Sequence, residues 1–129
     1  MNHKTSKRIV SSETNKNSEK LNKEQGFQKI LTLLHFAYKA NKLIYGHDSV
    51  LRFMKNKKIN LVLVAEDLSK NSFQSIYEQS IQENIELISI GSKSAYSQLT
   101  GKLTGIIGVL DDNFKSGIIK HFSLIEVEE

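Results

Sequence analysis

The stretch from Ile59 to Asp67 reads INLVLVAED, and its unbroken apolar run from Leu61 to Ala65 decides the fold class. A strand with one solvated face alternates apolar and polar residues. A continuous Leu and Val run between polar positions belongs instead to a strand covered on both faces. Such a strand needs helices above and below it, and the flanking sequence supplies them.

On the N-terminal side, Phe27, Ile30, Leu31, Leu34, Ala37 and Tyr38 recur at the i, i+3, i+4, i+7 spacing of an amphipathic helix that ends near Asn41. Leu43 to Tyr45 is a short extended piece broken by Gly46, and Val50, Leu51, Phe53 and Met54 form the apolar side of a second helix. On the C-terminal side, a helix is expected from about Asn71 or Ser72 to Glu83, with Phe73, Ile76, Tyr77 and Ile81 inward. IELISI (85–90) follows as a strand, Ser92 to Thr100 as a short helix, GIIGVL (105–110) as a further buried strand, and Asn113 to Phe122 as the last helix. This alternation predicts an α/β fold, a three-layer α/β/α sandwich with a mixed sheet of about four strands.

Composition narrows the function classes. Residues 25–129 make one domain of ordinary size, and 39% hydrophobic content suits a globular chain. The absence of cysteine excludes a disulfide framework, a Cys-based zinc site and a thiol nucleophile. No apolar run approaches the roughly 18 residues of a membrane span. A cytoplasmic, soluble monomer with no cofactor is expected. Residues 1–24 are polar throughout and lack the apolar segment of a secretory signal, so they read as a disordered basic tail.

Charge is unevenly distributed. The chain carries 18 Lys+Arg against 14 Asp+Glu, but residues 25–129 hold 12 cations and 11 acids. Within them, residues 39–58 gather Lys39, Lys42, Arg52, Lys55, Lys57 and Lys58 against Asp48 alone. A segregated basic patch attracts polyanions by phosphate neutralisation and counterion release, although a solvated helix face gives the same pattern.

Enzyme motifs are missing. The glycines never take GxGxxG spacing, and Gly101-Lys102 lacks both the phosphate-cradling glycine and the magnesium-binding hydroxyl of a P-loop. His3, His35, His47 and His121 show no HExxH spacing. Asp111-Asp112 suits a turn and the acidic start of a helix. Glu66-Asp67 stands at the carboxyl end of the central strand, where open α/β sheets often bind ligands, but a loop leading into the next helix explains it more simply.

The order of basic helix end, Lys42-Leu43, Gly46, short helix, INLVLVAED and ISIGSKSAYSQLTGK resembles the ribosomal protein L7Ae family, specifically its small bacterial members that bind kink-turn RNA. The resemblance spans about residues 26–120. It implies a three-layer α/β/α fold, no catalysis, and a structured RNA partner, with a kink-turn read at its tandem sheared G·A pairs, ribosomal RNA and ribosome association included. The family's signature falls on Gly46, His47, Asp48, Ser49 and Arg52, with Asp48-Ser49 where Asn-Glu is usual. A second element falls on Gly91, Ser92, Lys93 and Gly101, with Tyr96-Ser97 where Leu-Gly is usual.

The spacing of the first element has its own physical meaning. Asp48 and Arg52 are i and i+4 and share one helix face, while a helix N-terminus presents unpaired N–H groups to phosphate. Arg52 has the planar fork that pairs with the O6 and N7 edge of guanine, and Asp48 can accept from guanine N–H groups. Lys42, and with it Lys39, would neutralise phosphate. A protein-interaction module on the same fold, without specific RNA binding, is the alternative.

Overall fold

The computed structural model describes residues 20–126, so the tail expected over residues 1–24 lies outside the described residues up to residue 19. Among the described residues, five helices and four strands alternate: α1 (Lys23–Lys39), β1 (Leu43–Tyr45), α2 (His47–Lys55), β2 (Leu61–Val64), α3 (Lys70–Glu83), β3 (Glu86–Ser89), α4 (Lys93–Thr100), β4 (Ile106–Val109) and α5 (Asp112–Ser123). The strands form one mixed sheet in the order β1-β4-β2-β3.

β2 lies between antiparallel β4, where Leu61 faces Val109 and Val64 faces Ile106, and parallel β3, where Leu61 faces Glu86. All four of its residues are fully buried. Period-two alternation sends them to two different layers. Leu61, Leu63 and Ala65 pack with Ile30 and Leu34 of α1, Tyr96 of α4, and Ile118 and Phe122 of α5. Val62 and Val64 pack with Val50 and Met54 of α2 and Ile76 of α3. The apolar run is therefore explained by two cores sharing one strand, and the α/β/α sandwich expected from sequence is the one observed.

The first helix starts earlier than its apolar stripe indicates. Asn22 Oδ1 accepts from Gln25 N–H at 2.8 Å and Gln25 Oε1 accepts from Asn22 N–H at 3.0 Å, a reciprocal cap that satisfies two terminal donors. Just before it, Leu21 is buried and pairs with the segment that follows α5: its N–H donates to Leu124 O at 3.0 Å, and its carbonyl accepts from Glu126 N–H at 2.8 Å. Among the described residues, no helix is long and apolar enough to cross a membrane.

Strand direction positions the site. β1 and β2 are both antiparallel to β4, and β3 is parallel to β2, so β1, β2 and β3 all run the same way. Each is followed by a helix, which brings the N-termini of α2, α3 and α4 to one rim of the sheet.

Candidate nucleic-acid interface

A groove of about 600 Å³ opens at this rim, lined among others by Gly46, His47, Ser69, Lys93, Leu103 and Gly105. Gly46 reaches the rim in a conformation of φ 95°, which glycine adopts without the Cβ penalty, and its N–H donates to Ile106 O at 3.1 Å. It stands at the N-cap of α2, where no side chain caps the helix. The other four helices among the described residues are each capped by a side chain, from Asn22, Ser69, Ser92 and Asp111. The first turn of α2 therefore keeps N–H donors and positive dipole without a side-chain partner.

His47 ties that turn to its neighbour. Its Nε2 lies 3.1 Å from Ser75 Oγ on α3, and its Nδ1 lies 3.3 Å from Asp48 Oδ1. The Asp48 side chain is otherwise almost wholly exposed, at 98%. Arg52, one turn further on, is also exposed, while Ser49 is half-buried. Asp48 and Arg52 thus stand on the solvent side of α2, and neither lines the groove.

The second element meets the first here. Ser92 caps α4, its Oγ accepting from Ala95 N–H at 3.1 Å, so this hydroxyl already has a structural task. Lys93 is exposed, and its methylenes lie against Gly105, where an added Cβ would stand 2.8 Å from Lys93 Cγ. Tyr96 turns inward. It is completely buried, meets the Phe27 ring edge to face at 5.9 Å between centroids, and donates from its hydroxyl to Ile90 O at 2.7 Å. Burial, with the Glu66 carboxylate adding to it, pushes the phenol above the ordinary tyrosine range, so it remains a donor. Tyr96 supports the loop from beneath.

Lys39 and Lys42 are not brought to this groove. The Lys42 carbonyl accepts from Leu110 N–H at 2.9 Å, at the opposite end of β1 from Gly46, and the three strand residues between them separate the two by roughly 13 Å. Both lysines are exposed. Of the six cations between residues 39 and 58, only Lys57 approaches an acid among the described residues, at 3.9 Å from Glu83.

Leu103 is the most exposed apolar residue among the groove residues that sequence reasoning missed. It is 94% exposed in the loop between α4 and β4, where apolar surface costs free energy in water. The available signal was one large apolar residue inside the turn-rich stretch GKLTG (101–105). The carboxylates expected at turns serve backbone donors: Asp111 Oδ1 accepts from Asn113 and Phe114, and Asp67 Oδ1 from Lys93. Among the described residues no group of His, Asp and Glu is arranged to hold a metal ion.

These features define a small α/β/α sandwich in which the uncapped α2 N-terminus, Lys93 and exposed Leu103 meet at the rim where three helices begin. The chain belongs to the ribosomal protein L7Ae/L30e/S12e/Gadd45 family, whose sequence profile matches residues 28–118. The family's RNA-binding proteins are non-catalytic. The chain is 29% identical over 87 residues to the RNA-binding protein YlxQ of Enterococcus faecium, covering 67% of this chain and 84% of that protein. It is 26% identical over 88 residues to the RNA-binding protein YlxQ of Bacillus subtilis (strain 168), covering 67% and 88%. Its fold is similar to that of a protein of unknown function from Bacillus halodurans C, with a TM-score of 0.68 and 23% identity over 72% of this chain and 95% of the other. A Giardia lamblia 15.5kD RNA binding protein shares the fold with a TM-score of 0.65 and 18% identity, over 82% of this chain and 94% of the other.

Proposed function

We propose that this chain is a non-catalytic cytoplasmic protein that binds structured RNA, recognising a kink-turn or a similarly bent duplex, and that it acts in association with the ribosome. The observation that carries this reading is the meeting of the uncapped N-terminus of α2, Lys93 and exposed Leu103 around one groove. Helix N–H groups and a lysine suit phosphate oxygens, and an exposed leucine suits the face of an unstacked base. The family and the RNA-binding relatives supply the class of partner.

Within this reading, Asp48 and Arg52 face the paired bases next to the bend. Lys42 and Lys39, about a strand's length away, neutralise phosphates further along the RNA. His47 and Ser49 shape the first turn of α2, while Ser92 and Lys93 form the opposite wall.

Calorimetric titration of a kink-turn RNA and an unbent duplex of equal length tests the assignment. Arg52→Ala is expected to weaken kink-turn binding by about 1–3 kcal/mol and duplex binding less, because a guanine contact is lost. Lys42→Ala is expected to weaken both similarly, as a phosphate contact does. Equal wild-type affinity for the two RNAs would refute bend recognition. Unchanged binding by both folded variants would remove the assigned face.

A further inference from the structure

The Lys93 backbone is held by a residue that the RNA-binding reading does not use. The loops that follow β2 and β3 are joined at two points: Glu66 N–H donates to Gly91 O at 2.8 Å, and the Asp67 carboxylate accepts from Lys93 N–H at 2.9 Å. Lys93 opens α4, so this N–H has no carbonyl partner within its own helix. Ser92 covers the donor of Ala95 and leaves that of Lys93 to Asp67. The Lys93 stem lies across Gly105, where no Cβ stands in its way. The Lys93 ammonium makes no ion pair among the described residues.

We infer that Asp67 is a positioning residue for RNA binding, fixing the head of α4 so that Lys93 meets phosphate in a preset place. This rests on the RNA-binding reading and adds to it a residue outside the two sequence elements. A carboxylate beside a phosphate-binding rim would repel RNA if free. Here one oxygen is engaged by a backbone donor, and the bond places a cation at the groove wall. A long lysine ordered before binding loses less freedom when the RNA arrives. Gly105 acts in the same direction from the other side, by leaving room for the stem.

The test compares Asp67→Ala, Asp67→Asn, Lys93→Ala and the Asp67→Ala/Lys93→Ala double variant. Each is titrated with a kink-turn RNA over a range of salt, and thermal melts establish that it is folded. Lys93→Ala is expected to lose about three- to tenfold in affinity and about one unit of the salt slope. Asp67→Ala is expected to lose a similar factor and slope although its lysine is still present, and the double variant no more than Lys93→Ala alone. Asp67→Asn, which keeps an acceptor oxygen, is expected to restore most of the affinity. Wild-type binding by Asp67→Ala, or losses that multiply in the double variant, would overturn the positioning role while leaving RNA binding in place. Failure of the wild type to bind the RNA would instead remove the underlying reading, and this inference with it.

Discussion

Gly91 sits at the tightest point beneath the rim. Its φ is +85°, and an added Cβ would lie 2.6 Å from the Phe27 ring and 2.9 Å from the Tyr96 hydroxyl. Gly91→Ala therefore combines backbone strain with overlap against half-buried Phe27 and buried Tyr96. Urea denaturation is expected to show a loss of about 1–3 kcal/mol. His121 gives a second residue-level expectation. Its Nδ1 is buried without a hydrogen-bond partner among the described residues, and burial, then Lys29 and Lys120, hold its pKa below the ordinary value. Protonation thus favours the unfolded chain. The stability it affects is fully present above the unfolded value of about 6.5 and is lost as pH falls through the lower folded value. Melting temperatures between pH 7.5 and 5 should fall more for the wild type than for His121→Gln. At this scale Asp111 and Gly46 were legible, because capping and turns are local. Tyr96 and Leu103 were not, since either ring or leucine can pack or protrude and only tertiary context decides.

Elements were read best where their period was strong. β2 and β4 announced themselves as doubly buried strands, and the helix stripes matched the observed inward faces except at Ile81, which was expected inward on α3 but is 64% exposed, with Ser80 buried beside it instead. The start of α1 was missed because its first turn is polar and rests on the reciprocal Asn22–Gln25 cap rather than on apolar spacing. Asn22→Ala is expected to destabilise the protein by about 0.5–2 kcal/mol in chemical denaturation. Removing residues 1–24 takes away both that cap and buried Leu21, and should lower the melting temperature by more than Asn22→Ala does.

The relation between the two binding elements emerges only at the scale of the whole molecule. Sequence order says nothing of strand direction, so it could not show that Lys93 shares a groove with Gly46 while Lys42, only four residues from Gly46, lies at the other end of β1. With about four to six phosphates neutralised by cations spread in this way, log affinity for RNA should fall with log salt at a slope of about −3 to −5. Filter binding across a salt series measures it. A flat response would favour the protein-interaction alternative.

The strand order β1-β4-β2-β3 also constrains how the chain matures. β4, the last of the described strands to be made, is the one that joins β1 to β2. A nascent chain that has exposed everything up to α4 holds β2 and β3 ready to pair, with β1 stranded beside a gap. Its two halves become one sheet only after Val109 clears the exit tunnel, and the Leu21–Ile125 bridge closes later still. Folding during synthesis is thus expected to come as a late, abrupt event, since the distant pairings form only when the intervening chain is complete. Stalled chains ending before residue 105 should remain protease-sensitive, and chains extended well past residue 126 should become resistant.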